Sequence, residues 1–231
     1  LGIAVSVLSL AKGITHLLET QPVLLWSFFF GLIIASAWII GRTVERWNPA
    51  AILAGLAGVA VAYYITIATP AQTSEQYWFI FLSGALAICA MILPGISGSF
   101  ILLLLGKYKF ILESLSNLKV DVILVFLAGC AVGLLSFARL LSWMFDRYKN
   151  LTIAVLTGFM VGSLNKVWPW KETTSTTTDR HGEIIPLTQE SISPFAFEGD
   201  PQLVWAIVSA IAGFAIIWVL ERQTKMQPLN N

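Results

Sequence analysis

Charge is what this sequence has least of. Lys, Arg, Asp and Glu make up 12% of its 231 residues, 14 basic and 13 acidic, where a soluble domain carries roughly 25%. Residues 22–41, 49–69, 77–105 and 201–220 hold no charged side chain at all. Disorder is excluded as well, because 57% of the chain is hydrophobic and its mean hydropathy is +0.78. A net charge of +1 gives no basic footprint, so no nucleic-acid partner is expected. Cysteine and histidine are scarce too. Cys89 and Cys130 lie in apolar segments and read as small buried hydrophobes rather than a disulfide. His16 and His181 are too far apart for a metal site. No carboxylate pair and no Ser/His arrangement sits inside the apolar runs; Glu113, the nearest acid, reads as interfacial. The sequence therefore reads as no enzyme, with no catalytic residues, no metal and no cofactor.

What is present is long apolar runs. Twenty helical residues span about 30 Å, the thickness of a bilayer's hydrocarbon. The fold class expected is an all-α polytopic membrane protein. Helix A covers 2–18, helix B 22–41 and helix C 49–69. Two apolar arms, 77–93 and 99–115, flank Pro94-Gly95-Ile96-Ser97-Gly98. Helices A′ (121–143), B′ (151–168) and C′ (201–220) follow, then a tail, 221–231. Between B′ and C′ lies a polar stretch, 169–200, with two basic and six acidic residues. Its Thr/Ser run, 173–178, reads as a mobile solvent loop or small cap. Trp26, Trp38, Trp47, Trp78, Trp143, Trp168 and Trp170 fall mostly near span ends, as interfacial anchors do.

The chain repeats itself. With an offset of 127 and no gaps, Gly2, Ala4, Val5, Leu8, Ser9 and Ala11 meet Gly129, Ala131, Val132, Leu135, Ser136 and Ala138. Leu24, Gly31 and Ser36 meet Leu151, Gly158 and Ser163, and Lys12 meets Arg139. Asn48-Pro49 opens helix C and Asp200-Pro201 opens C′, an offset of 152. The expected organisation is a first repeat over 1–69, a second-repeat hairpin over 77–115 and the second repeat's helices over 119–220, with the polar loop inserted. The repeat also implies a hairpin upstream of residue 1. The chain opens without Met, inside an apolar run and without the basic start of a signal peptide, so it reads as part of a longer protein.

Three spans per half, with the hairpin entering and leaving on one side, invert the second half relative to the first. Charge agrees: Arg42 and Arg46, Arg147 and Lys149, and Arg222 and Lys225 fall on one face, the inside. Loops 19–21 and 70–76 carry no Lys or Arg, and the acidic loop 169–200 joins them outside. Lys107, Lys109 and Lys119 run against this pattern.

Leu93-Pro94-Gly95-Ile96-Ser97-Gly98-Ser99 interrupts an apolar run. Proline removes a donor and disfavours helix at the residue before it, and glycine adopts dihedrals other residues avoid. Broken backbone inside a bilayer survives only where protein or a water-filled cavity satisfies it. A helix starting near Ser99 turns its free N–H groups and dipole toward an anion, and Ser97 and Ser99 add hydroxyls. Pro94, Gly95, Ser97, Gly98 and Ser99 are thus candidate anion-binding residues; the other reading is a tight turn between packed helices. Lys12 and Arg139, about 9 Å from their helix ends at 1.5 Å per residue, either snorkel to the interface or face a cavity as a cation pair. Ser36, Ser163, Asn165 and Lys107 are candidate cavity-lining residues, although Lys107 and Lys109 favour an interfacial reading. Gly31 and Gly158 read as helix-packing positions.

Residues 93–108, Leu-Pro-Gly-Ile-Ser-Gly-Ser-Phe-Ile-Leu-Leu-Leu-Leu-Gly-Lys-Tyr, resemble the hallmark of the bacterial polyprenyl-phosphate transporter family, long catalogued as a domain of unknown function. The stretches 135–143 and 28–38 are similar to that family too. Its members carry an earlier Pro-Gly-Val-Ser-Gly-Gly motif that this chain lacks. The resemblance implies return of undecaprenyl phosphate across the bacterial cytoplasmic membrane, recycling the lipid carrier for peptidoglycan and other envelope polymers. The implied partners are the polyprenyl-phosphate lipid and membrane lipids; oligomeric state and coupling ion are left open. A channel or exchanger for small inorganic anions is the alternative, and a lipid-pyrophosphate phosphatase a weaker one.

Overall fold

The computed structural model describes residues 13–14, 16–70, 73–178 and 184–226. In order the elements are α1 (Pro22–Gly41), α2 (Pro49–Ile67), α3 (Tyr77–Ile92), α4 (Gly98–Leu104), α5 (Tyr108–Ser116), α6 (Val120–Ser163), a 3₁₀ turn (Leu164–Val167), β1 (Lys171–Thr178), β2 (Ile184–Ser191), a second 3₁₀ turn (Pro194–Ala196) and α7 (Leu203–Met226). Four helical segments are long and apolar enough to cross a membrane: Pro22–Gly41, Pro49–Ile67, Val120–Val167 and Leu203–Gln223. The chain is a mostly helical, multi-pass membrane protein. Most of expected helix A lies outside the described residues.

Helix α6 is two helices. Tyr148 leaves helical dihedrals (φ −136°, ψ 45°). The Thr152 hydroxyl donates to the carbonyl of Met144 at 3.0 Å, although eight residues along an unbroken helix lie about 12 Å apart. The chain therefore reverses at Tyr148, between the expected helices A′ and B′. Helix α2 starts where the sequence says. Asn48 accepts the Ala51 N–H at 2.8 Å as N-cap, and Pro49 occupies the first turn. Helix α7 starts two residues later than expected. The Asp200 carboxylate accepts the Gln202 N–H at 3.0 Å and Gln202 takes a positive φ of 46°, so the helix begins at Leu203. Two other expectations change. The arm 99–115 is broken at Gly106 into α4 and α5, and the Thr/Ser run 173–178 belongs to β1, paired antiparallel with β2. Threonine and isoleucine favour pleated backbone, which is why a polar stretch forms a hairpin here.

The contacts fall into two compact units, Ile40–Ser163 and Leu1–Ile39 with Leu164–Asn231. In the first, α2 runs parallel to the second half of α6, and α3 runs parallel to its first half. Glycine sets these approaches. A Cβ on Gly158 would stand 2.0 Å from the Gly55 carbonyl, and one on Gly129 2.0 Å from that of Phe81. Lipid gives helices no hydrophobic reason to associate, so close backbone contact through small residues does that work. The Cys89 and Cys130 thiols reach across α3 and α6 to the carbonyls of Gly133 and Gly84 at 3.6 and 3.4 Å. In the second unit α1 meets α7, where a Cβ on Gly31 would lie 1.9 Å from the Ala210 carbonyl.

The two units use matching contacts. Gly58 faces the Val155 carbonyl and the Phe159 N–H in one; Gly213 faces the Phe28 carbonyl and the Leu32 N–H in the other. Val155 and Phe159 are Phe28 and Leu32 advanced by the repeat offset of 127. Gly58 to Gly213, like Gly55 to Ala210, is an advance of 155. The packing thus aligns C with C′ three residues away from the offset of 152 that their proline starts suggest.

Gly158→Ala is expected to lower stability by about 1–3 kcal/mol, the cost of overpacking. Gly55→Ala, whose Cβ would sit 3.4 Å from the Ala154 carbonyl, is expected to be nearly neutral. Thermal unfolding of both variants in one detergent checks the contrast.

Candidate functional site

The Pro94–Ser99 turn is built within the Ile40–Ser163 unit. Pro94 cannot continue α3, and Leu93 before it is already extended (φ −73°, ψ 130°), its N–H bonded to the Ala90 carbonyl at 3.1 Å. Gly95 takes φ +90°, and a Cβ there would fall 2.0 Å from the Ser163 Oγ. Both space and dihedral demand glycine. Ile96 points inward and is buried with Ala62, Ala90 and Phe159. Gly98 opens α4 beside α3, where a Cβ would come within 2.7 Å of the Ala87 carbonyl. Start of α4 thus lies against the last turns of α3.

Ser97 is the N-cap residue of α4, yet its side chain caps nothing. The Ser97 and Ser99 hydroxyls instead bond each other at 2.7 Å, and both are exposed. The turn therefore presents two adjacent hydroxyls at the start of a helix, inside the charge-free segment 77–105. They suit an oxyanion, which accepts from hydroxyl and backbone N–H donors alike.

Helix α4 has only seven residues. Gly106 (φ 63°) ends it, with Gly106 N–H to the Leu103 carbonyl at 2.9 Å and Lys107 N–H to that of Leu102 at 2.8 Å. This paired 5→2 and 6→1 bonding is the Schellman ending that glycine permits. The hairpin's two ends then meet. Thr73, just before α3, donates its hydroxyl to the Leu105 carbonyl and accepts the Lys107 ammonium at 2.8 Å. Tyr77, the first residue of α3, donates to Asp121 at the start of α6 at 2.6 Å.

Lys107 is buried. It is 2% exposed, with Nζ 5.5 Å from the Phe110 ring centre and 5.8 Å from that of Phe79. Lys109, two residues on, is exposed and 3.9 Å from Glu113. Nothing in the spacing separates these lysines; the Gly106 turn does, by carrying Lys107 inward over two aromatic faces.

The other predicted site residues are dispersed. Ser163 is fully buried against Gly95, its hydroxyl donating to the Met160 carbonyl at 2.8 Å. Ser36 donates to its own helix at Leu32, 2.9 Å away. The Asn165 carbonyl accepts the Ser191 hydroxyl at 3.2 Å. Arg139 is exposed on α6 and makes no hydrogen bond or ion pair among the described residues. Lys12 lies outside the described residues. Among the described residues no cluster of His, Cys, Asp or Glu could hold a metal.

Gly95→Ala is expected to destabilise through two separable causes, the left-handed dihedral and the clash with Ser163. The pair Gly95→Ala/Ser163→Gly should recover the steric part and retain about 1–2 kcal/mol of dihedral cost. A double-mutant cycle of unfolding free energies checks this.

The family described as undecaprenyl phosphate translocase-like matches residues 1–185. A "Polyprenyl-phosphate transporter" of Vibrio cholerae is 47% identical over 225 residues, covering 96% of this chain and 73% of its own length. A protein of the same name from Staphylococcus aureus is 27% identical over 187 residues, 73% of this chain and 66% of its own length. No solved structure matches. With most of its length inside that match, the chain belongs to the undecaprenyl phosphate translocase-like family.

Proposed function

We propose that the protein transports polyprenyl phosphate, undecaprenyl phosphate in bacteria, between the leaflets of the cytoplasmic membrane. It acts as a carrier rather than an enzyme. The observation that carries this reading is the Pro94–Ser99 turn, which sets the exposed Ser97 and Ser99 hydroxyls at a helix start inside a segment without charge. A phosphate headgroup crossing hydrocarbon needs such donors, while its isoprenoid tail can remain in lipid.

The hairpin is read as re-entrant. In support, α3 has 16 residues, about 24 Å at 1.5 Å per residue and short of the roughly 30 Å hydrocarbon. Its start at Thr73 and Tyr77 meets Leu105, Lys107 and Asp121, where the chain leaves the hairpin. The two repeats, 1–69 and 77–220, are read as inverted, with loop 169–200 outside. The matched glycine contacts of α1 with α7 and of α2 with α6 support this. Exposed Arg139 and its counterpart Lys12 would offset the phosphate charge, and rocking of the repeats would alternate access.

The test is reconstitution of the full-length protein in proteoliposomes with labelled undecaprenyl phosphate, following its transfer between leaflets. Wild type is expected to accelerate transfer. Ser97→Ala/Ser99→Ala is expected to slow it about tenfold or more, since hydrogen bonds to a charged group contribute about 1.5–3 kcal/mol. Unchanged transfer in that variant removes the turn from the site, and no transfer in wild type overturns the function.

A further inference from the structure

The matched glycine contacts make the two units comparable position by position. Gly158 packs on Gly55 as Gly31 packs on Ala210, and Gly58 faces the Val155 carbonyl as Gly213 faces that of Phe28. In each match the α1 residue stands 127 places before its α6 counterpart, and the α7 residue 155 places after its α2 counterpart. In the Ile40–Ser163 unit this helix pair carries a third element, the Pro94–Gly98 turn. Gly95 lies on Ser163, where a Cβ would come within 2.0 Å of the hydroxyl. Ile96 is buried with Ala62 and Phe159. Ser163, Phe159 and Ala62 are thus the seat of the turn.

Their counterparts are Ser36, Leu32 and Ile217, all on α1 and α7 and all in one unit. Here the units part. Ser163, Phe159 and Ala62 are 0%, 8% and 0% exposed, whereas Ser36, Leu32 and Ile217 are only half-buried. Looser helix packing does not explain this. Gly31, Ala35 and Gly213 are buried, as are Gly158, Gly162 and Gly58. The difference is confined to the seat. Ser36 donates to the Leu32 carbonyl at 2.9 Å, and Ser163 to that of Met160 at 2.8 Å. With its hydroxyl spent on its own helix, each serine offers a neighbour a small surface on which a backbone without Cβ can lie.

The geometry points to Ser36, Leu32 and Ile217 as a second seat, whose occupant is a Pro-Gly turn built like Pro94–Gly98 and supplied by the segment before residue 1 in the full-length protein. A glycine of that turn lies on Ser36, and the apolar side chain after it fills the space beside Leu32 and Ile217. The repeat selects this occupant, because Gly95 moved back by the offset of 127 falls before Leu1. The length for it exists in the relative from Vibrio cholerae, where the match covers 73% of that protein. The seat rests on the matched contacts and not on the identity of the transported lipid.

The test places a photoreactive diazirine side chain at single positions of the full-length protein in nanodiscs and identifies the captured peptides by mass spectrometry. At Phe159, the control, it is expected to capture the peptide that holds Ile96. At Leu32 and at Ile217 it is expected to capture one and the same peptide, from before residue 1 and containing Pro-Gly. Capture of lipid alone, or of residues 1–231 of the same molecule, overturns the seat. So does capture of a second molecule, which mixing isotope-labelled with unlabelled protein reveals. Packing gives an independent readout. Ser36→Leu is expected to lower the unfolding temperature of the full-length protein by about 3 °C or more, as Ser163→Leu does by intruding on Gly95. An unfolding temperature equal to wild type in Ser36→Leu sinks the proposal. Neither readout involves lipid transfer, so the seat and the transport reading fail separately.

Discussion

Backbone-to-backbone contact at glycine is the constraint on which the rest of this structure depends. Lipid is as apolar as a leucine side chain, so burying leucine between helices gains little. What remains is dispersion and close approach, and both need a surface without Cβ atoms. Gly158 against Gly55, Gly129 against Phe81 and Gly31 against Ala210 bring main chains together at distances that any other residue would forbid. The large apolar side chains, Leu53, Leu56 and Tyr64 among them, are left on the outside. That is an inside-out arrangement only by the standards of a soluble protein.

The same constraint lets a broken helix persist in an apolar setting. Between Ile92 and Val120 the chain turns at Pro94–Ser97, at Gly106 and at Leu118, and the Ala90, Leu102, Leu103, Ser114 and Leu115 carbonyls beside these breaks accept N–H groups. Gly95 and Gly98 allow the turn to press against Ser163 and Ala87. Ile96 pins it into the core, which leaves Ser97 and Ser99 as the polar groups facing outward. Rigid packing behind the turn fixes where its two exposed hydroxyls point.

The few charges divide by environment. Lys109 and Glu113, and Lys149 and Glu45, form exposed pairs of small energetic weight. Lys107 is buried over aromatic rings and spends its ammonium on a main-chain carbonyl, tying the two ends of the hairpin together. Lys171 also rests on an aromatic face, but with no carboxylate among the described residues to answer it. Four lysines of equal formal charge thus stand in three different settings.

The sequence by itself determined the membrane setting, most helix positions and the Pro94–Ser99 turn. Those follow from local quantities: charge-free length, the Asn48-Pro49 start, and proline and glycine dihedral preferences. It also carries nine matching residues between 2–36 and 129–163. It misjudged whatever depends on what lies opposite. Lys107 and Lys109 differ only in what the Gly106 turn places around them. The opening of α7 was shifted to Leu203 by the positive φ of Gln202, which breaks helical backbone just after Pro201. The Thr-rich stretch forms a strand because a second β-favouring segment lies across from it. The gathering of Trp26, Trp168, Trp170 and Lys171, where Trp168 packs edge-on against Trp170 and Lys171 lies over the Trp26 ring, joins residues as many as 145 apart in the chain and was decided by tertiary structure alone. No local preference encodes a contact between segments that only helix packing brings together.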